Sequence, residues 1–245
     1  LLNSGMVWDE ASASPVGTFG MIVMERALYQ FLDDLPELRA ELGVSADASS
    51  GIGHWLDQQT WEGRDRRLAQ YTIENIMVEV GGSGPSDRTS LEWLFEGVEL
   101  GGGDHVPEGG YEKVINALVQ GLTIELEQVV EKVKIADDGV EVVTTTGKTW
   151  RGSHVVVTVP LGVLKSGAIV FEPPLPDEKL AAIDRLDMGN VERVVLRFDE
   201  QWWSAGDLLF VSEAADGRFP FVVDFTIDTG VPTLVAFYGG RYALA

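Results

Sequence analysis

The chain has 245 residues, with 18 Lys and Arg against 39 Asp and Glu, and a formal net charge of −21. Hydrophobic residues make up 45% of it, enough to build a core, so wholesale disorder is excluded. Such an acidic excess argues against nucleic acid, because neutralising phosphates needs a basic face; it favours solubility or cationic partners.

The absence of cysteine removes disulfides, thiolate metal sites and any cysteine nucleophile together. It is compatible with a cytoplasmic location. No apolar run approaches the roughly 20 residues that span a bilayer, so no membrane segment is predicted. The opening residues, Leu1-Leu2-Asn3-Ser4-Gly5, show neither an initiating Met nor a basic stretch ahead of an apolar one. They do not read as a signal peptide, and the chain reads as one cut from something longer.

The first hundred residues carry helical spacing. Phe19, Ile22, Val23, Ala27, Leu28, Phe31 and Leu32 form one apolar stripe that is expected to end near Asp33-Asp34. A second helix is predicted after Ser49-Ser50, carrying Trp55, Leu56 and Trp61. A third runs from about Arg64 through Leu68, Tyr71, Ile73 and Ile76. Gly81-Gly82-Ser83-Gly84-Pro85 then breaks the pattern. A short helix is expected around Leu91–Phe95, followed by a second break at Gly101-Gly102-Gly103.

From Gly109 the character changes. Tyr111, Val114, Ile115 and Leu118 predict one more amphipathic helix, after which β-branched residues dominate. Thr123–Leu126, Val129–Ile135 and Val140–Thr146 read as strands, with a hairpin turn at Asp137-Asp138-Gly139. The run Val155-Val156-Val157-Thr158-Val159 reads as a strand buried on both faces. A helix at Asp177–Leu186 follows Pro173-Pro174-Leu175-Pro176. Val191–Phe198, Leu208–Val211, Phe219–Phe225 and Thr233–Phe237 then suggest a second sheet. The layout is α+β: a helical part, a small strand cluster and a larger mixed β-sheet.

Local motifs yield no mechanism. There is no G-x-G-x-x-G and no phosphate-binding loop, and Pro85 spoils the one near-match to a nucleophile elbow. His54, His105 and His154 lack ligand spacing, so no metal site is expected. Asp137-Asp138 are solvated turn residues, and the tryptophans are read as packing residues, with Trp202-Trp203 the pair of further interest.

Several segments in register carry more. They are Gly109-Gly110-Tyr111-Glu112-Lys113-Val114-Ile115, Leu126–Val133, Val156-Val157-Thr158-Val159-Pro160-Leu161-Gly162-Val163-Leu164-Lys165 and Phe171-Glu172-Pro173-Pro174-Leu175-Pro176. Met188-Gly189-Asn190, Val194–Phe198 and Trp202-Trp203 continue the series. In this order and spacing the chain resembles the central region of the flavin-containing amine oxidases: polyamine oxidases, monoamine oxidases and histone lysine demethylases. The resemblance is specific over about residues 104–205.

The resemblance implies FAD as cofactor and a small-molecule amine, such as a polyamine, as substrate. It implies that Val130, Thr158, Val159, Pro160 and Leu161 wall the adenine end of FAD. Arg193 falls where the family has a lysine, linked through water to the flavin N5. Val191 is implied to line the substrate cavity, Trp203 to stand near its wall, and Glu79 to approximate an acidic residue near the entrance. By the same resemblance, residues 1–105 are the helical part of a substrate-binding domain. Residues 106–162 are the adenine side of the FAD-binding domain, and 163–245 the sheet part of the substrate domain.

The family's G-x-G-x-x-G unit, which holds the FAD pyrophosphate, has no counterpart in these residues. The chain alone is therefore expected to be inactive and not to retain FAD, with apolar surface over strands 123–159 that favours self-association. Two other readings stay open: a flavin-free binding module for cationic ligands, and part of a related flavoenzyme such as an amino-acid oxidase or a desaturase.

Overall fold

The computed structural model describes residues 8–9, 14–97, 107–203, 208–210 and 219–243. In chain order its elements begin with β1 (Trp8–Asp9), β2 (Ser14–Pro15), α1 (Gly17–Leu42), α2 (Ala48–Gln58), α3 (Gly63–Gln70), a π-helical segment Tyr71–Gly81 and a 3-10 turn Ser86–Arg88. There follow α4 (Glu112–Leu118), β3 (Val130–Ala136), β4 (Gly139–Thr144), β5 (Thr149–Gly152), α5 (Leu161–Lys165), β6 (Val170–Glu172) and α6 (Asp177–Arg185). The last are β7 (Val191–Arg197), β8 (Leu208–Phe210), β9 (Phe221–Asp224), α7 (Thr226–Thr229), β10 (Thr233–Gly239) and α8 (Gly240–Ala243). The fold is α+β, and it divides into two units: residues 1–96 with 189–245, and residues 97–188.

In the first unit α1 runs past the predicted stop at Asp33-Asp34 and continues through Pro36 to Leu42. The apolar spacing explains this, because Phe31, Leu35 and Leu38 keep the same face buried while Phe19 and Ile22 turn out to solvent. Gly43, at φ +76°, ends the helix and returns its N–H to the Arg39 carbonyl. Asp34 does not stop the helix; it accepts the indole N–H of the buried Trp55 at 2.8 Å. Trp55 meets Phe31 and Trp61 edge-on, with ring centroids 5.3 and 5.5 Å away. Ile52, Leu56, Leu91 and Leu94 complete this core.

The second helix begins at Ala48, three residues earlier than expected, because Asp47 caps it by accepting the Ser50 N–H at 2.8 Å. Residues 91–95 form turns in place of the expected helix, with Phe95 at φ +60°. Leu91 and Leu94 are buried all the same. The expected break at Gly101-Gly102-Gly103 lies outside the described residues.

The expected second sheet is present with strand order β7-β10-β9-β8, all antiparallel. β10 lies inside it, pairing Thr233↔Arg197 through Gly239↔Val191 with β7 on one side and β9 on the other. The π-helical segment packs against β10.

In the second unit β5-β4-β3 form an antiparallel meander, and β6 adds parallel to β3. The turn at Asp137-Asp138 is as expected, with Ala136 opposite Gly139, whose φ is +140°. Val133, Val140 and Ile169 are buried in its core. Two expectations fail here. Thr123–Leu126 is not a strand, and Val155–Val159 pairs with no neighbour among the described residues. Val156 is 82% exposed. A β-branched run supplies strand propensity, but only a partner strand makes it a buried one.

Across the parallel pair Lys132 Nζ donates to Glu172 Oε1 at 2.9 Å. This hydrogen bond, reinforced by the lysine's charge, holds the Glu172 carboxyl below its ordinary value and raises Lys132 above its own. The Glu172 contribution to stability is present above the unfolded carboxylate pKa and fades as pH falls through the depressed folded value; the Lys132 contribution fades as pH rises through its raised one. An NMR titration of Glu172 is expected to show a depressed midpoint that Lys132→Met returns upward; an unmoved midpoint would contradict the pairing. For the first unit, Trp55→Ala removes two ring contacts and strands Asp34, at a cost of about 3–5 kcal/mol in urea unfolding.

Candidate functional site

The π-helical segment carries two acidic side chains into the interior of the first unit. Glu74 and Glu79 stand five residues apart, and the wider π turn puts both on the side that faces β10 and α8. Their side chains are 10% and 2% exposed. Buried carboxylates need partners, and these have them.

Glu74 Oε1 accepts from the Ser86 hydroxyl at 2.6 Å and from Ser49 at 3.3 Å, and its Oε2 accepts from Gln70 at 2.9 Å. Glu79 Oε2 accepts from Asn75 at 3.3 Å. Arg241, on α8, joins the two: its Nε reaches Glu79 Oε1 at 3.1 Å and one terminal nitrogen reaches Glu74 Oε1 at 3.4 Å and Ser86 Oγ at 3.3 Å. Partial burial opposes the charge of Arg241. The hydrogen bond and charge of Glu79, then the charges of Glu74 and Asp87, outweigh it and hold the guanidinium above its ordinary value.

The approach of β10 to this segment is set by glycine. A Cβ on Gly239 would stand 2.2 Å from the Glu79 carbonyl oxygen, and one on Gly240 (φ +57°) 2.8 Å from the Glu79 Cβ. Gly189, just ahead of β7, meets Ser83 as closely, and the Asn190 N–H donates to the Ser83 carbonyl at 2.6 Å. Both strands of the β7–β10 pair are therefore fastened, at the same end of the pair, to the π-helical segment and the loop after it.

Among the residues singled out from sequence, Glu79 lies in the centre of this network. Val191 is opposite Gly239, which lies against the Glu79 backbone, so one strand residue separates Val191 from Glu79. Arg193 lies two residues further along the exposed β7, opposite Phe237, on the same sheet face as Val191. Its side chain makes no hydrogen bond or ion pair among the described residues. Trp203 is buried against Leu234, Phe198 and Val222. Leu234 pairs with Leu196, so this cluster occupies the opposite face of the sheet from Val191 and Arg193.

In the second unit Val130 and Val159 pack on one core cluster. Thr158 is exposed, Pro160 precedes α5, and Leu161 opens it half-buried. Residues 155–159 lie outside any helix or sheet, so the hydrogen-bonding groups of their backbone are not used in a ladder. A planar heteroaromatic ring with donors and acceptors on its edge suits such a segment, and the adjoining valines supply the apolar wall.

Sequence reasoning missed Glu74, Ser86 and Arg241. The available signal was a pair of acids inside an otherwise apolar helix, and a single cation directly after Gly239-Gly240.

Residues 27–245 match the family described as flavin containing amine oxidoreductase, and the chain belongs to that family. It is similar to polyamine oxidase 4 of Oryza sativa subsp. japonica, at 34% identity over 90% of this chain and 45% of that protein. It is also similar to lysine-specific histone demethylase 1 homolog 2 of Arabidopsis thaliana, at 35% identity over 90% of this chain and 31% of that one. The chain thus spans less than half the length of these relatives. A putrescine oxidase solved with putrescine bound shares the fold, with a TM-score of 0.69 at 18% identity over 98% of this chain and 59% of that one.

Gly239→Ala forces a methyl group into the Glu79 backbone, and a loss of about 1–3 kcal/mol in urea unfolding is expected. Unchanged stability would mean that β10 does not approach the segment this closely.

Proposed function

We propose that this chain forms the mainly substrate-binding part of an FAD-dependent amine oxidase, together with the adenine side of its cofactor site. The observation that carries this reading is the family match over residues 27–245. In this reading the helical residues within 1–105 and the sheet within 163–245 hold the amine, while residues 106–162 hold adenine. FAD, when bound, supplies the two-electron acceptor for oxidation of a primary or secondary amine at the C–N bond.

The chain's own residues position the reactants. Val191 lines the amine cavity with apolar surface, and Glu79 stands at its far end, paired with Arg241. Arg193 offers a fixed positive charge, which favours anionic species formed as oxygen is reduced. Trp203 braces the sheet that carries Val191 and Arg193. Val130, Val159 and Leu161 wall the adenine, and the backbone of Thr158 and Pro160 runs beside its edge. What supports this last assignment is the shared cluster of Val130 and Val159 and the unused backbone edge next to them.

Without a G-x-G-x-x-G turn in these 245 residues, the charge-assisted bonds that hold a pyrophosphate are not supplied here. The purified 245-residue chain is therefore expected to bind FAD weakly and to be colourless and inactive. Val159→Asp is expected to abolish that weak binding, with calorimetry as the measurement. Stoichiometric FAD, or amine-dependent peroxide from this chain alone, would overturn the division of labour proposed; FAD binding indifferent to Val159→Asp would overturn the adenine assignment.

A further inference from the structure

A carboxylate that is to hold a substrate's distal ammonium must offer that ammonium a free lone pair. Glu79 offers little, since Arg241 and Asn75 each occupy one of its oxygens and its side chain is almost wholly shielded. Glu74 is more heavily engaged, with contacts from Ser86, Ser49, Gln70 and Arg241. The group that solvent meets above the pair is Arg241, whose side chain is 51% exposed.

We infer that Arg241 is a specificity-determining residue of the amine site: by occupying Glu79 it makes the site accept amines with one cationic end and reject those with a second ammonium. The inference rests on the reading that Glu79 belongs to the amine site. The physical reason is local. A distal ammonium arriving at Glu79 meets a fixed guanidinium in place of a carboxylate, and like charges at contact distance repel. The net charge of −21 attracts monocations and dications alike from a distance, and it is screened at physiological salt. It therefore cannot substitute for the local selection. Arg241 is held firmly in place, because it follows directly on Gly239-Gly240, which press against Glu79.

The test compares n-butylamine with putrescine, which share a four-carbon skeleton and differ by one ammonium. Their affinities for the 245-residue chain are measured by calorimetry at about 0.15 M salt, where charges beyond about 8 Å are largely screened. The chain is expected to bind n-butylamine at least as tightly as putrescine. Arg241→Met is expected to move the affinity ratio toward putrescine by about tenfold, the scale of one close ion pair. Arg241→Lys should keep the original ratio, and adding Glu79→Gln to Arg241→Met should cancel the shift.

If Arg241→Met does not fold, the Glu74→Gln/Arg241→Met double variant replaces it and leaves Glu79 as the carboxylate to be read. A ratio unchanged in a folded variant, or a putrescine preference in the unaltered chain, overturns the role of Arg241 while leaving the amine site standing. Failure of every variant to bind either amine overturns the amine site itself, and the inference with it.

Discussion

A carboxylate taken out of water needs a partner at fixed distance, and the first unit of this protein holds two of them on one π-helical segment. Glu74 and Glu79 are satisfied by Ser49, Gln70, Asn75, Ser86 and Arg241, which come from α2, α3, the segment itself, the 3-10 turn and α8. Removing one member of such a network leaves a buried charge without compensation, which is the expensive way to break an ion pair. Elements far apart in sequence are thereby held in one arrangement. β10 can deliver Arg241 only because Gly239 and Gly240 let the strand end lie against Glu79.

The same contact orders the sheet. With Gly239 against the π-helical segment, its partner Val191 lies opposite the point where the strand meets Glu79, and alternation along β7 puts Arg193 on the same face as Val191. Leu196, Phe198, Leu234 and Trp203 take the other face. The register of one strand pair thus decides which side chains share the acidic side and which form the aromatic packing behind it. A slip of one residue would exchange the two sets.

Periodicity in the sequence was a sound guide wherever burial and local spacing agree. The hairpin turn at Asp137-Asp138, helix α6 and the four strands of the larger sheet follow directly from their patterns. It misled where a distant partner decides. Asp33-Asp34 resembles a helix end until Trp55 is known to need an acceptor, and Val155–Val159 resembles a buried strand although no strand lies beside it among the described residues. Of the acidic network only Glu79 was singled out, and through a resemblance. The link to Arg241 spans 162 positions of sequence, and nothing local encodes it. A π-helix is also invisible to a 3.6-residue period, so the shared orientation of Glu74 and Glu79 had no sequence signature.

The aromatic residues are divided unequally between the two units, and this affects how the molecule can be observed. Six of the seven tryptophans belong to the unit built from residues 1–96 and 189–245, while Trp150 alone represents residues 97–188. Trp55 sits in a ring cluster with Phe31 and Trp61, and Trp202 and Trp203 stack edge-on with Phe198. Intrinsic emission therefore follows the helical and acidic unit almost exclusively. The other unit could open around Lys132 and Glu172 while the fluorescence signal stayed nearly constant. Circular dichroism or amide exchange would register that opening, so non-coincident transitions in the two kinds of signal would reveal two cooperative units in a chain that emission alone reports as one.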